Sequence, residues 1–481
     1  MQFEDLSCAA LAAAIRRREL SAREALDAHY SRIDAVNPAI NAIVTQCRER
    51  AYEQAATADR LTASGVRLPA LHGVPMTHKD TNNTNGIRTT HGSPIFREAV
   101  PDFDDLIIER FTSAGVVSTG KSNVPEFAAG SHTFNEVFGA TANPYDLGRS
   151  AGGSSGGASA AIAARVQPLG DGSDMGGSLR NPAAFCNVVG YRPSLGVLPV
   201  APSRNAYQWL AHTGPIARSV EDVALAMAVL AGPDPRVPLA CPVSGADFAA
   251  MLGPAERQEG ERPLAGLRVG LTTDFGLGVP VEQEVLDVLD DQAKVFEELG
   301  ADVQPGCPVL RDADEVFDVT RAFDMATSLG GLVGQHGDLV KPEIQWNVEK
   351  GFRLTAKDLI HATVARTRLH LAVEAFFADF DLLLCPTAQV LPFPSEERYP
   401  RSVCGQPMHS YVEWMRSASV VSATGCPAIS VPAGFSAGGL PVGLPVGLQL
   451  VAAAGKDVAL LEAARAYEAV TQHARRAPTL G

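Results

Sequence analysis

The spacing of apolar positions changes along the chain, and the change predicts which segments are helices and which are strands. Over the first 60 residues, apolar side chains recur every three or four positions, as in a helix with one face on a core. Beyond Leu71, short apolar runs such as 267–271 and 428–431 alternate with helical stretches such as 281–299. This alternation predicts an α/β fold with a covered, largely parallel or mixed sheet.

Local signals set the expected boundaries. Ser21 and Glu24 form a capping box, in which each side chain satisfies a free backbone N–H at a helix start, and the helix should end before Pro38. Residues 1–65 are expected to form an N-terminal helical segment packed on a single main domain, 66–481. Within that domain, the Pro-, Ala- and Gly-rich stretch 232–262 is expected to be a surface excursion.

Charge narrows the range of partners. The 481 residues are 46 % hydrophobic and carry a formal charge of −14, and the longest basic run is Arg16-Arg17-Arg18. A nucleic-acid binder needs a basic surface to displace counterions from phosphate, so nucleic acid is not an expected partner. The acidity also argues against an anionic membrane surface, and no apolar run approaches the 18 or more residues of a membrane span.

The cysteines and histidines bear on whether disulfides or metal sites are expected, and on the cellular compartment. The eight cysteines are scattered with no close pair, which favours reduced thiols and a cytoplasmic protein over a disulfide framework or a zinc site. The N-terminus is acidic where a secretory signal would be basic. The eleven histidines include no His-Glu-x-x-His motif, so no metal is expected.

Two short motifs suggest activities that their surroundings do not support. Gly115-Val-Val-Ser-Thr-Gly-Lys-Ser122 fits the P-loop pattern, but the interior of this supposed loop is itself the best predicted strand. Gly152-Gly-Ser-Ser-Gly156 fits the nucleophile elbow of α/β-hydrolases, but a turn-rich loop precedes it. An α/β-hydrolase-type esterase therefore remains a weaker alternative. Its acid and base candidates are Asp379 or Asp381 and His409 or His473.

A longer pattern is more specific. Gly-Gly-Ser-Ser-Gly-Gly at 152–157 and Ser-Asp-Met-Gly-Gly-Ser at 173–178 flank one compact helix and strand, so the two loops can converge. A serine hydroxyl is a weak nucleophile that needs a base. Glycines at 176 and 177 allow backbone N–H groups to turn inward beside Ser178, where a developing oxyanion would need them.

The segment 152–190 resembles the amidase signature, and five further landmarks of that family occur in order. They are Leu71-His-Gly-Val-Pro-Met-Thr-His-Lys79-Asp80, Gly120-Lys-Ser-Asn-Val-Pro-Glu126, Phe138-Gly-Ala-Thr-Ala-Asn-Pro144, Gly214-Pro-Ile-Ala-Arg-Ser-Val-Glu-Asp222 and Cys426-Pro-Ala-Ile-Ser-Val-Pro432. The resemblance implies the amidase-signature fold, with a large central mixed β-sheet covered by helices on both faces.

The resemblance also implies site residues. Lys79 is the base, Ser154 a relay serine held by a cis peptide, and Ser178 the nucleophile. The oxyanion hole is expected from the backbone N–H groups of Met175, Gly176, Gly177 and Ser178. Supporting roles fall to Ser155, Asp174 and Arg180, and the loop with Ala129, Gly130 and Ser131 borders the acyl pocket. No cofactor is implied, and the protein is expected to be a monomer or homodimer.

Two residues depart from the family pattern. Met175 replaces the usual threonine, and His78 replaces an aliphatic residue, for which a neutral, hydrogen-bonded state facing away from Lys79 is expected. The amidase subunit of a glutamine-dependent amidotransferase complex usually carries glutamine at Asn181 and Tyr-Gly-Arg near Ser194, so that alternative is disfavoured. The expected function is hydrolysis of carbon–nitrogen bonds in small amides or carbamates.

Overall fold

The computed structural model describes residues 3–253, 262–438 and 443–480. Its helices are α1 (Cys8–Arg16), α2 (Ala22–Ile40), α3 (Arg48–Ser64), α4 (Leu106–Ser113), α5 (Gly156–Ala163), α6 (Arg180–Phe185), α7 (Val220–Leu230), α8 (Gly245–Ala250), α9 (Gln283–Glu298), α10 (Ala313–His336), α11 (Pro342–Arg353), α12 (Ala356–Phe377), α13 (Arg416–Thr424) and α14 (Asp457–Thr471). Its strands are β1 (Ile43–Gln46), β2 (Pro75–Lys79), β3 (Val117–Ser122), β4 (Phe134–Asn135), β5 (Gly139–Ala140), β6 (Ala142–Asn143), β7 (Asp146–Ser150), β8 (Leu169–Asp174), β9 (Val189–Arg192), β10 (His212–Ala217), β11 (Arg268–Leu271), β12 (Asp302–Pro305), β13 (Leu382–Pro386), β14 (Ser402–Val403), β15 (Gln406–Pro407), β16 (Ala428–Phe435) and β17 (Pro445–Val451).

An eight-stranded sheet forms the centre, in the order β12-β11-β13-β17-β16-β9-β10-β8. The pairs β12/β11 and β11/β13 are parallel, whereas the remaining neighbours are antiparallel. The prediction of an α/β fold with a large mixed sheet is therefore confirmed. Strands β13, β16 and β17 are almost wholly buried, which explains why their sequences are apolar at nearly every position rather than at alternate ones.

A second, three-stranded sheet has the order β1-β3-β2, with β2 parallel and β1 antiparallel to β3. Strand β1 lies within residues 1–65, so the segment predicted to be helical also contributes one strand to this sheet. Strand β1 has only four residues, too few for its alternation to stand out from the helical pattern on both sides.

Helix α5 fills the space between the two sheets, and all eight of its residues are buried. Glycine at 157 is required by packing, because a Cβ atom there would lie 2.3 Å from the backbone nitrogen of Asn123. The glycine-serine run at 152–157 is thus part of a close-packed layer and not a flexible linker.

Pro38 does not end its helix, contrary to the prediction, because α2 continues to Ile40. The proline lies in the last turn, where it removes a single backbone hydrogen bond. The side chain of Asn37 supports this helix end by accepting the N–H groups of Ala42 and Ile43 at 2.9 and 2.8 Å. The predicted capping box of Ser21 and Glu24 is present.

The P-loop-like segment is an extended strand, because β3 runs through Gly120, Lys121 and Ser122. A Cβ atom at 120 would lie 1.9 Å from the carbonyl oxygen of Thr45 on β1. The Lys121 ammonium is buried and donates to the Asn82 carbonyl and, at 2.8 Å, to Thr84 Oγ1. This lysine therefore ties β3 to the loop after β2 instead of facing a phosphate.

Part of the predicted surface excursion, residues 254–261, lies outside the described residues. Its described part contains the short helix α8. Among the residues that the structure describes, no helix has the length and apolar character needed to cross a membrane.

Candidate active site

Lys79 is the last residue of β2, and its side chain is completely buried. Its Nζ lies 2.7 Å from Ser154 Oγ, 2.9 Å from Ser155 Oγ and 2.8 Å from Ser173 Oγ. An ammonium can donate to all three hydroxyls, whereas a neutral amine has a lone pair free to accept a proton from one of them. Three serines therefore converge on one nitrogen that can exist in either state.

Burial lowers the pKa of Lys79 to about 7, although the nearby carboxylates of Asp171 and Asp174 oppose the shift. Desolvation disfavours the charged form of an amine, and no carboxylate touches Nζ closely enough to restore its ordinary pKa. The amine is therefore substantially neutral near neutral pH, which a general base requires.

Ser154 lies in the loop between β7 and α5, and the Gly153–Ser154 peptide bond is cis. Gly152 has a φ of +72°, and a Cβ atom at this position would lie 2.7 Å from Pro182 Cα. The loop therefore depends on glycine both for its conformation and for its contact with α6. Among the described residues, Ser154 Oγ hydrogen-bonds only to Lys79.

Ser178 follows β8 and lies against the Ser154 loop, because the Ser155 N–H donates to the Ser178 carbonyl at 3.3 Å. Its side chain makes no hydrogen bond within the described part of the chain, and the residue keeps 8 % of its surface exposed. The structure thus brings Lys79, Ser154 and Ser178 to one place, with the Ser178 hydroxyl as the uncommitted group.

The loop between β8 and Ser178 carries backbone donors. Within the described chain, the N–H groups of Met175, Gly176 and Ser178 have no protein acceptor, but the Gly177 N–H donates to Asp174 Oδ1 at 2.8 Å. Three of the four expected oxyanion donors are therefore free in this structure. Gly176 must lack a side chain, since a Cβ atom would meet Met415 Cε at 2.6 Å and Phe317 Cζ at 2.7 Å.

Asp174 holds that loop through a buried charge cluster with Arg180 and Arg192. Its carboxylate accepts Arg180 Nε at 3.0 Å, Arg180 Nη2 at 2.9 Å and the Leu179 N–H at 3.1 Å, and Arg192 Nη1 approaches to 3.4 Å. Burial alone would raise the pKa of Asp174, but the two guanidinium groups hold it well below its usual range. The sequence indicated Asp174 and Arg180 through the family motif, whereas it gave no signal for Arg192.

His78 has both ring nitrogens hydrogen-bonded, and among the described residues neither nitrogen bonds to Lys79, Ser154, Ser155 or Ser173. Nδ1 is 2.7 Å from Asp171 Oδ2, and Nε2 is 2.9 Å from Ser118 Oγ. The other oxygen of Asp171 accepts the Lys79 backbone N–H at 2.6 Å. Asp171 on β8 therefore connects the His78 ring to the backbone of Lys79, a role that the sequence did not indicate.

The loop predicted to border the acyl pocket lies beside the Ser178 loop. Ala129 is buried in a small apolar cluster with Met325 and Ile344. Ser131 Oγ lies 3.1 Å from Met415 Sδ and 3.4 Å from the Asn181 amide. Between them, Gly130 adopts a φ of +135°, which favours glycine.

His132 is committed to structural contacts, with Nδ1 2.7 Å from Ser150 Oγ and Nε2 2.9 Å from the Ser395 carbonyl. Burial lowers its pKa to about 4, so the ring is neutral. Among the described residues, no histidine hydrogen-bonds to Ser154 or Ser178, which removes support for the α/β-hydrolase alternative. Cys186 is a buried thiol whose pKa burial raises, not a second nucleophile.

A cleft of about 1010 Å³ opens beside the Ser178 loop, between α10, the start of α11, the segment 409–413 and the start of α13. Phe317 belongs to its wall and also packs on Gly176. Trp346, Tyr399 and Tyr411 add further aromatic surface. The stretch 232–345, which was nearly uninformative in the sequence, thus supplies one wall of the cleft through α10.

Comparison with known proteins agrees with this geometry. The family model for amidases matches residues 24–461. The chain is 36 % identical over 478 residues to an acylamidase of Rhodococcus erythropolis, covering 98 % of this chain and 97 % of that protein. It is 33 % identical over 492 residues to a glutamyl-tRNA(Gln) amidotransferase subunit of Heliobacterium modesticaldum, covering 97 % and 96 %.

Solved structures give the same result. A bacterial aryl acylamidase of the amidase-signature family superimposes with a TM-score of 0.88 at 28 % identity, over 98 % of both chains. The chain therefore belongs to the amidase family, the amidase-signature enzymes, and is an amide-hydrolysing enzyme.

Proposed function

We propose that this enzyme hydrolyses the carbon–nitrogen bond of small, neutral amides or carbamates, with Ser178 as nucleophile, Ser154 as proton relay and Lys79 as base. The observation that carries the proposal is the 2.7 Å contact between Lys79 Nζ and Ser154 Oγ, made by a lysine whose pKa is about 7. A base of that pKa is matched to proton transfer near neutral pH.

In the first half of the reaction, Ser178 Oγ bonds to the substrate carbonyl carbon. Its proton moves to Ser154 Oγ while the Ser154 proton moves to Lys79 Nζ, and the carbonyl π pair becomes the oxyanion. In this mechanism the N–H groups of Met175, Gly176 and Ser178, which have no protein acceptor among the described residues, bind that charge. When the tetrahedral species collapses, the C–N bond breaks and the proton returns from Lys79 through Ser154 to the departing amine.

In the second half, water replaces the amine. It attacks the carbonyl carbon of the Ser178 ester while one of its protons passes through Ser154 to Lys79. When the bond between Ser178 Oγ and that carbon breaks, the proton returns from Lys79 through Ser154 to Ser178 Oγ, and the acid is released. Atoms and charges balance without any cofactor.

The walls near Gly176 support a neutral and partly aromatic substrate. Phe317 and Met415 lie beside Gly176, one of the proposed oxyanion donors, and Trp346 and Tyr411 add aromatic surface to a cleft that also has charged walls. Aromatic and thioether surfaces favour apolar groups and stack on aromatic rings. Aryl amides and aryl carbamates are therefore the first substrates to try.

The test is a panel of chromogenic anilides, aryl carbamates and esters with the wild type and Ser178→Ala. Wild type should release the amine, and Ser178→Ala should not. During turnover of an ester, the intact mass of the wild-type protein should show a bound acyl group. Peptide mapping should then find that group in the peptide that contains Ser178. An acyl group on Ser154 or Cys186, or amine release by Ser178→Ala, would contradict the assignment.

A second candidate is the amidase subunit of a glutamine-dependent amidotransferase, because relatives of that class align over nearly the whole chain. Asn181 and the segment 194–197 depart from the pattern typical of such subunits. The two candidates differ in what they hydrolyse alone: release of ammonia from glutamine without cleavage of any panel amide would favour the amidotransferase subunit.

We expect Asp171→Asn to move the pH profile of kcat/KM toward lower pH by about one unit. The Asp171 carboxylate favours the ammonium form of Lys79, so removing its charge lowers the pKa of Lys79 further and leaves the amine neutral at lower pH. Asparagine still offers an oxygen to the Lys79 backbone N–H, which preserves the strand contact.

Asp379→Asn, which removes an exposed carboxylate, serves as the control and should leave the profile unchanged. An acidic limb that stays in place or moves to higher pH in Asp171→Asn would mean that Asp171 does not act on the base.

A further inference from the structure

Helix α12 has two apolar faces, of which the fold uses one. Ala362, Ala365, Leu369, Val373 and Phe376 are buried, and α12 packs against α10 and α13. On the opposite side, Ile360, Val364 and Leu371 are 61 %, 50 % and 61 % exposed. A helix that packs only on its own core has a polar outer face, so the second apolar face needs an explanation.

The exposed face follows the spacing of a helix that packs on another helix. Residues 357, 360, 364, 367, 371 and 374 are separated alternately by three and four positions and form one narrow stripe, which we call the outer stripe. Ile360, Val364, Thr367 and Leu371 are its centre, with Lys357 at one end and Glu374 at the other. Neither end residue forms an ion pair within the described part of the chain.

The outer stripe is complementary to itself in one orientation. If two copies of α12 lie antiparallel about a two-fold axis between residues 365 and 366, Ile360 meets Leu371 of the second copy and Val364 meets Thr367. The same axis places Lys357 beside Glu374 of the second copy, twice per pair. A parallel pair would instead place lysine against lysine and glutamate against glutamate.

We propose that the outer stripe of α12 is the centre of a two-fold symmetric interface between two copies of this chain. Isologous contact of this kind is the commonest way in which identical protomers associate. Because a stable interface buries about 800 Å² per partner, the stripe needs surrounding surface as well. Leu359 on α12 and Phe352 near the end of α11 are further exposed apolar residues in this part of the chain.

The shape of the surface favours a second helix over a lipid bilayer. Membrane-surface helices carry a wide apolar face bordered by lysine and arginine. The outer stripe is narrow, contains Thr367, and ends in one cation and one anion. Arg368 beside it is already paired with Asp312 at 2.8 Å.

The test is sedimentation equilibrium of the full-length protein over a hundredfold range of concentration. Wild type should approach twice the 50.6 kDa chain mass, and Ile360→Glu and Leu371→Glu should sediment as monomers with unchanged amide hydrolysis. Val309→Glu, at an apolar position that is 60 % exposed outside α12, is the matched control and should remain dimeric.

Charge reversal tests the orientation. Lys357→Glu alone or Glu374→Lys alone should raise the dimer dissociation constant about tenfold or more, because like charges then face each other. The double variant Lys357→Glu/Glu374→Lys should return it to within about threefold of wild type, since each pair is again opposite in charge.

Three outcomes would overturn the proposal. The first is a wild type that stays monomeric at every concentration, and the second is a dimer that survives both Ile360→Glu and Leu371→Glu. The third is that wild type binds phosphatidylcholine/phosphatidylglycerol vesicles and that Ile360→Glu and Leu371→Glu lose this binding but remain dimeric. That result would make a lipid surface the occupant of the outer stripe.

Discussion

Lys79→Ala should lower kcat for anilide hydrolysis by at least about 10⁴-fold, comparable to loss of a triad member in serine hydrolases. The lysine would act twice, taking the proton of the nucleophile through Ser154 and returning it to the leaving amine. In wild type, kcat/KM should rise with pH through about 7, because only the neutral amine can accept the proton.

The size of the loss should depend on the leaving group. A nitrophenolate can depart without a proton, whereas an anilide nitrogen cannot, so Lys79→Ala should lose less activity on a nitrophenyl ester than on the matching anilide. Parallel rate measurements on the two substrates, with circular dichroism to verify folding, provide the comparison. Lys294→Ala, at an exposed lysine, is the control for the loss of a cation.

A Lys79→Ala variant that keeps more than a tenth of the wild-type rate, or that loses the same factor on ester and anilide, would exclude Lys79 as the shared base and acid.

Asp174→Ala should lower the free energy of unfolding by about 3–5 kcal/mol. The substitution leaves Arg180 and Arg192 buried with their charges uncompensated, and it removes the acceptor of the Gly177 and Leu179 N–H groups. Denaturant titration at pH 7 measures the loss. Glu109→Ala, which breaks the exposed pair with Arg236, is the matched control and should change stability by less than about 1 kcal/mol.

The pH dependence of this difference has a definite sign. The carboxylate of Asp174 has its pKa depressed in the folded state, so its contribution is complete above the unfolded value of about 3.9 and disappears as pH falls through the folded pKa. The gap between wild type and Asp174→Ala should therefore be constant from pH 6 to 8 and narrow below about pH 4. A gap under about 1 kcal/mol at pH 7 would contradict the role assigned to the cluster.

Periodicity predicted the mixed α/β fold and spacing predicted the convergence of the two glycine-serine loops, whereas Lys79 was identified only through the resemblance to the amidase signature. Glycine and serine recur at fixed spacing around Ser154 and Ser178, and helical periodicity spans many residues. The sequence did not predict Asp171 or Arg192, whose partners are brought close only by sheet pairing. No local pattern distinguishes a buried carboxylate on β8 from an exposed one.

The errors have the same origin. The strand β1 is too short to interrupt a helical pattern, and Pro38 is tolerated because the side chain of Asn37 supports the helix end. Phe317 reads in the sequence as one apolar residue of an amphipathic helix. Its contact with Gly176 exists only because α10 lies across the Ser178 loop.

The strand order of the large sheet has a consequence for how the protein is made in a cell. Strand β9 takes β16 as its neighbour, although β16 begins only at Ala428, so a ribosome must release most of the chain before that edge is covered. Pairing of two strands so far apart in the sequence is slow, and an unpaired strand edge can associate with other chains before β16 is available. The yield of active enzyme from an expression host therefore depends on how long nascent chains keep that edge open, and cooler growth or more chaperone should raise it.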